Sequence, residues 1–277
     1  LLYTGSRGMG ALEFRPAIVR DSVQGGESLE LDTLIDTAQR VLDERNRAGG
    51  PLAADNNQGI SSIFQVGSSA GGARPKAVVA LNRNRTDIRS GQVDAPEGYE
   101  HYLLKFDGVV EHRSNSEIFG DPKGYGLMEY TYYQMATAAG INMEPCEILE
   151  DGPRAHFLTR RFDRKANHKI HVQTLCAIAH ADYKRPGQFS YEELFQVARR
   201  LRLSRIEALE IYRRMVFNVV ARNQDDHTKN FSFLMERDGK WRLAPAYDVV
   251  YSYKPGSPWV EQHNLSLNGK RSGFHQE

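Results

Sequence analysis

Apolar residues recur at helical spacing in several stretches of the chain and gather into short strand-like runs between them. Leu31, Leu34, Ile35, Ala38, Val41 and Leu42 fall three or four apart, with Asp32 and Asp36 early and Arg45 and Arg47 late, a charge order that suits the helix dipole. Gly49-Gly50-Pro51 stops that helix. Residues 127–139 repeat the pattern through Leu127, Tyr130, Thr131, Met135 and Ala138 and end at Gly140. Ser190 with Glu193, and Ser204 with Glu207, are capping boxes ahead of two further helices. The second of these is expected to bury Ile206, Leu209, Tyr212, Met215, Val216 and Val219.

Strands are expected around Leu12-Glu13-Phe14 and over His101 to Phe106, and between them the small-residue stretch that starts at Val66 leads into a β-branched run ending at Leu81, with a flexible hairpin as the other reading. Cys146 to Leu149 and His156 to Thr159 form a hairpin turning at Asp151-Gly152. Phe231 to Leu234 and Trp241 to Leu243 form another, turning at Asp238-Gly239. From about residue 170 the pattern turns helical. A strand-rich first part and a helix-rich second part predict an α+β chain, divided near residue 160 into parts covering 1–160 and 161–277.

Composition changes this picture little. The chain has 277 residues, 40% hydrophobic and 26% charged, with a net charge of +1, so no global charge draws it to nucleic acid or membrane. No apolar run approaches the roughly 20 residues of a membrane span. The two cysteines, Cys146 and Cys176, have no metal-type spacing and point to a reduced, cytoplasmic setting. His156, His168, His171, His180 and His227 make no paired metal motif. The chain opens on Leu1 and is expected to be a fragment of a longer product.

Candidate chemistry gathers in Asn223-Gln224-Asp225-Asp226-His227-Thr228-Lys229-Asn230 and in Tyr247-Asp248. Asp225 and Asn230 stand in a D-x-x-x-x-N spacing, and the hairpin between them and Asp248 would bring Asn230 and Asp248 together. Phosphoryl transfer needs such a set: a carboxylate to orient a hydroxyl, and an amide and a second carboxylate on Mg²⁺. The same composition also makes turns and helix caps. Upstream, Gly71-Gly72-Ala73-Arg74-Pro75-Lys76 follows Ser68-Ser69 and leads into a strand. Its backbone amides, with Arg74 or Lys76, suit an anion, although neither a Walker A nor a G-x-G-x-x-G pattern is present. Lys105 lies in an apolar strand; taken alone it reads as an edge-strand lysine pointing to solvent, whereas burial would ask for an anionic partner, for which Glu129 on the next helix, otherwise a helix-dipole residue, is a candidate.

Glycine-serine loop, strand lysine, helix glutamate, hairpin, helical region, D-x-x-x-x-N and lone Asp follow the order of a two-lobed protein kinase. In these pieces, and in Arg161-Phe162-Asp163-Arg164 and Tyr247-Asp248-Val249, the chain resembles the HipA family of bacterial type II toxin–antitoxin kinases. The resemblance runs over nearly the whole chain, without that family's small N-terminal subdomain and C-terminal helices. It implies an ATP- and Mg²⁺-dependent serine/threonine kinase with Asp225 as catalytic base and Asn230 and Asp248 on the metal. Lys105 would hold the ATP phosphates, positioned by Glu129; the backbone of Arg160, Arg161 and Phe162 would meet adenine. Gly71, Gly72, Ala73, Arg74, Pro75 and Lys76 would cover the phosphates, and His227, Thr228, Lys229 and Asn230 would line the nucleotide. Ser69 falls at the autophosphorylated serine, with Ser68 a rival.

The partners so implied are a protein substrate, of which an aminoacyl-tRNA synthetase is one kind, and a HipB-like, DNA-binding antitoxin through which alone DNA would be met. No membrane partner is expected. A small-molecule kinase of similar lobes, and a silent kinase-like module that binds an antitoxin repressor, are the rival readings.

Overall fold

A computed structural model of the chain describes residues 5, 6, 8, 10–16, 28–47, 76–109 and 123–275. The chain forms two compact units, Leu1–Leu127 with Pro145–Lys169, and Met128–Glu144 with Ile170–Glu277.

The first unit is built on a five-stranded antiparallel sheet of strands β1 (Lys76–Leu81), β2 (Ile88–Ser90), β3 (Glu100–Lys105), β4 (Cys146–Asp151) and β5 (Arg154–Arg160), in the order β2-β1-β3-β5-β4. In β1 the five residues after Lys76 are all buried, so it reads as a continuous apolar run and not as an alternation. Helix α1 (Leu31–Arg47) presses Leu34, Ile35 and Ala38 into a core with Val79, Leu81, Leu104 and Leu158. The β4–β5 hairpin turns at Asp151-Gly152 as expected, with Gly152 at φ 54° in the left-handed region that its tight turn requires. Helix α2 (Tyr125–Ala138) begins against β5, where a Cβ on Gly126 would stand 1.9 Å from the Ala155 carbonyl oxygen. Only glycine lets the helix start there. Two further short strands, β6 (Arg164–Lys165) and β7 (His168–Lys169), pair with each other. Residues 12–14, expected as a strand, form none.

The second unit carries strand β8 (His171–Thr174), the one-turn helix α3 (Leu175–Ile178), helices α4 (Tyr191–Arg200) and α5 (Arg205–Val220), and strands β9 (Ser232–Met235) and β10 (Trp241–Leu243). Both expected capping boxes are present, at Ser190 with Glu193 and Ser204 with Glu207. Residues 171–174 are a strand, not a helix: pairing of His171–Thr174 with β9 makes β8 the third strand of a β10-β9-β8 sheet, and that partner overrides local preference.

Helix α5 departs from expectation more instructively. Ile206, Leu209, Tyr212 and Val216 are exposed, while Glu210, Ile211, Arg214, Met215, Phe217 and Asn218 are buried. The buried stripe is polar at four-residue spacing and is satisfied throughout. Arg214 donates to Glu210 at 3.0 Å and to the Ala244 carbonyl at 2.9 Å, and Glu210 also accepts the Asn142 N–H at 2.9 Å. Buried charges are tolerated when paired in this way. Of the six residues expected on the buried side, Met215 is the one that is fully buried.

Candidate functional site

The octet follows α5. Arg222 takes φ 53° just past the helix, and residues 223–227 run on without regular structure to the turn at 228–230 that precedes β9. The two neighbouring aspartates have opposite environments. Asp226 is 1% exposed. Its Oδ2 accepts the Tyr191 hydroxyl at 2.7 Å and lies 3.0 Å from His263 Nδ1, and its Oδ1 accepts the Asn264 N–H at 2.7 Å. Burial beside that carboxylate pushes the Tyr191 hydroxyl well above its ordinary pKa, so it stays a donor. The Asp225 side chain is 42% exposed, with His227 Nε2 at 3.7 Å. The Asp225 main chain is fixed at both ends: its N–H donates to Ser252 Oγ at 2.9 Å, and its carbonyl accepts Asn230 Nδ2 at 2.7 Å. A held backbone with a solvent-reachable carboxylate is what a reacting group needs; a carboxylate with three partners is a structural one.

Asn230 spends its amide N–H₂ on the loop, so Oδ1 is the atom it can offer to a cation. Lys229 presents its carbonyl to the Tyr247 hydroxyl at 2.6 Å and its Nζ to the Tyr183 ring at 3.3 Å from the centroid. Tyr247 also meets the Ser232 hydroxyl. The Lys229–Tyr247 bond joins the residues just before Asn230 and Asp248 across the β9–β10 hairpin. Asp248 takes φ 56°, a conformation costly for a residue with a Cβ and commoner at functional positions. Thr228 is buried and its carbonyl accepts the Cys176 N–H at 2.9 Å.

In the first unit, Lys105 ends β3 at 4% exposure with Nζ 5.8 Å from the Phe157 ring centroid. Its direct cross-strand partner in β1 is Lys76. Two ammonium groups opposite each other on one sheet face repel, so the pair suits an anion. Arg160 and Arg161 give their N–H groups to the carbonyls of Pro145 and His101 at 3.0 and 2.9 Å. The Arg161 guanidinium grips Asp163 through two bonds of 2.8 and 2.6 Å, and Arg164 adds a third at 2.7 Å. Burial alone would raise the Asp163 carboxyl; the two arginines outweigh it and hold it below the ordinary range. Phe162 lies between these two arginines in sequence, at half-burial. Glu129 lies in α2 at 2% exposure, in the part of that helix assigned to the second unit, and is its fifth residue, not in the first turn. Gly71, Gly72, Ala73, Arg74 and Pro75, with Ser68 and Ser69, lie outside the described residues.

Tyr191, His263, Asn264 and Ser252 were not singled out from the sequence, and Asn223 and Asp226 entered only as members of the octet, without a role of their own. The signal was slight: a second aspartate beside the first, and otherwise isolated polar residues far apart in the chain. Among the described residues no group of three His, Cys, Asp or Glu side chains forms a metal cluster.

Comparison with known proteins settles the family. The model of the HipA-like C-terminal domain matches residues 68–276, three quarters of the chain. This chain belongs to the HipA-like C-terminal domain family. A solved HipA of Shewanella oneidensis, in a toxin–antitoxin complex with HipB and operator DNA, superposes with a TM-score of 0.61 at 18% identity. That match covers 98% of this chain and 61% of the solved one. The fold of the HipA-like chain is therefore the protein-kinase-like α+β fold, two-lobed, with a strand-rich N-terminal lobe and a helix-rich C-terminal lobe. The Sinorhizobium fredii protein named "Putative kinase Y4mE" is 28% identical over 127 residues, 42% of this chain and 30% of that protein. The Helicobacter pylori proinflammatory kinase CtkA aligns over 65% of this chain with a TM-score of 0.42, too low to add to the argument. The HipA-like chain thus spans less than two thirds of both HipA and Y4mE. Among its described residues no helix is long and apolar enough to cross a membrane.

Proposed function

We propose that the protein is an ATP- and Mg²⁺-dependent serine/threonine kinase acting on another protein, with Asp225 as the group that orients and deprotonates the substrate hydroxyl. The observation that carries this reading is the contrast within the Asp225-Asp226 pair: one carboxylate is locked by three partners, and the other is reachable on a fixed backbone. Mg²⁺ commonly takes one or two protein ligands and completes its shell with phosphates and water, so an amide oxygen and a carboxylate fit it without a larger cluster. Asn230 through Oδ1 and Asp248 through its carboxylate are the residues that would hold it. When bound, the ion supplies positive charge against the transferred phosphoryl group.

The chain's own residues do the rest. Lys105 and Lys76 offer paired positive charge to phosphates, and Gly71 to Pro75 would cover them with backbone amides. Glu129 would hold Lys105 in place. Arg160 to Phe162 would meet adenine through the main chain, and His227 to Lys229 would line the nucleotide beside Asp225. Asp225 holds the incoming hydroxyl in line and takes its proton as the new bond to the γ-phosphorus forms and the bond from that phosphorus to the β–γ bridging oxygen breaks, with ADP leaving. Ser69, with Ser68 as rival, is the proposed site of self-modification. By analogy with the HipA complex, the partner is a DNA-binding antitoxin and the cellular role is that of a toxin. An aminoacyl-tRNA synthetase is the kind of substrate that the sequence resemblance to the family implies. A cytoplasmic location is part of the same proposal.

The test is incubation of the purified protein with γ-labelled ATP, a bacterial lysate and Mg²⁺, followed by phosphoamino-acid analysis of labelled polypeptides. Label on serine or threonine that needs both Mg²⁺ and an intact Asp225 supports the proposal. Label that Asp225→Asn leaves in place, or label confined to small alcohols, rejects it.

A further inference from the structure

We infer that Ser252 is a positioning residue for phosphoryl transfer, the member of a hydrogen-bond circuit that ties the segment carrying Asp248 to the backbone of Asp225. The inference rests on the catalytic role proposed for Asp225.

The circuit can be followed atom by atom. The Asp225 N–H donates to Ser252 Oγ at 2.9 Å, and the Ser252 hydroxyl donates to Asn223 Oδ1 at 3.2 Å. Asn223 Nδ2 donates to Asn218 Oδ1 at 2.9 Å. Asn218 Nδ2 donates to the Tyr191 hydroxyl at 3.1 Å, which donates to Asp226 Oδ2 at 2.7 Å. The path leaves Asp225 and returns to its neighbour, and every polar hydrogen in it points the same way round. Asn218, Asn223, Tyr191 and Asp226 are at most 5% exposed, so water does not compete for the three bonds among them, while the two bonds of Ser252 are half-buried. Two backbone bonds brace the ring, Asn223 N–H to the Asn218 carbonyl at 2.9 Å and Ser252 N–H to the Arg222 carbonyl at 3.2 Å.

Ser252 holds a special place in this ring. It is the member contributed from beyond Asp248, four residues past it. Its hydroxyl both accepts and donates, which no apolar side chain of its size can do. Asp225 is reached from two sides, by Ser252 at its N–H and by Asn230 at its carbonyl. Loss of one leaves the carboxylate on a backbone free to turn at one end, and small misplacements of a reacting group are costly in rate. Binding of nucleotide, which uses other groups, is spared.

The test compares Ser252→Ala and Ser252→Thr in the full protein, with wild type beside them. Ser252→Ala is expected to lower kcat by about tenfold or more with little change in KM for ATP. Ser252→Thr keeps a hydroxyl and is expected to restore much of kcat. Amide hydrogen exchange supplies a readout apart from activity: exchange across residues 222–227 rises in Ser252→Ala and stays near wild type in Ser252→Thr. If Ser252→Ala keeps the wild-type kcat, or if kcat falls only in step with loss of folded protein while exchange is unchanged, the inference is overturned. If wild type itself transfers no phosphoryl group, the kinase proposal fails instead, and faster exchange in Ser252→Ala would still show the tether.

Discussion

Strand β1 and three residues of the loop at 223–228, namely Asn223, Asp226 and Thr228, are buried to a similar depth by different means. In β1, Ala77, Val78, Val79, Ala80 and Leu81 are all at most 1% exposed, and nothing polar beyond the backbone has to be satisfied. In the loop each of the three has a partner from a distant part of the chain: Ser252 for Asn223, Asn264 for Asp226 and Cys176 for Thr228, all three loop residues being at most 3% exposed. A core of the first kind tolerates exchange of one apolar side chain for another of like volume. A network of the second kind fails when one atom is lost, because the orphaned group stays buried without a partner. The first arrangement builds a scaffold; the second fixes where a single carboxylate stands.

That difference can be broken from either side. Leu104 is fully buried in the sheet core, and Leu104→Ala is expected to cost about 2–5 kcal/mol of stability through lost contacts and a cavity. Below the unfolding transition it should leave phosphoryl transfer per folded molecule nearly unchanged. Tyr191→Phe keeps the volume and removes one hydroxyl from Asn218 and Asp226, with an expected cost of about 1–3 kcal/mol in chemical denaturation. Although smaller in stability, this change should reduce turnover more than Leu104→Ala does. The reverse ranking of turnover would remove the distinction between scaffold and site.

A third expectation concerns pH and is the smallest. His156 Nδ1 accepts the Asp107 N–H at 2.9 Å in a fully buried setting, and burial holds the imidazole below its ordinary pKa despite Asp151 and Asp107 nearby. Arg154 adds to the lowering. His101, also buried, is shifted the same way. A folded-state pKa below the unfolded one means the stabilisation is complete above about pH 6.5 and is lost as pH falls through the folded value. Each group contributes at most about 1.4 kcal/mol per pH unit within that window. Thermal unfolding between pH 7.5 and 5 should show a decline that His156→Gln flattens. An unchanged slope in that variant would place the acid sensitivity elsewhere.

Much of this architecture could be read from the residues. The run at 77–81, the capping boxes at Ser190 and Ser204, and the turns at Gly152 and Gly239 depend on local pattern or backbone chemistry, and the structure has them where expected. Helix α5 shows where local pattern fails. Its apolar residues at 206, 209, 212 and 216 look like a core stripe, yet Glu210, Arg214 and Asn218 face inward because partners exist for each. Strand β8 is similar: only β9 makes it a strand. For the candidate site, the spacing of Asp225, Asn230 and Asp248 could be read from the sequence because the proposed chemistry would constrain it. The supporting atoms from Tyr191, Ser252, His263 and Asn264 could not, since no periodicity links residues that meet only through the fold.

The central claim is that Asp225 works and Asp226 supports. The most direct measurement compares Asp225→Asn and Asp226→Asn with wild type for labelled phosphoryl transfer, nucleotide binding by calorimetry and unfolding by denaturant. Asp225→Asn should unfold like wild type and bind ATP, yet lose about 10²–10⁴ in transfer rate. Asp226→Asn should be destabilised, since its carboxylate accepts from Tyr191 and Asn264 and faces His263. Near-normal transfer by Asp225→Asn, or an Asp226→Asn protein that is as stable as wild type but inactive, would contradict the assignment.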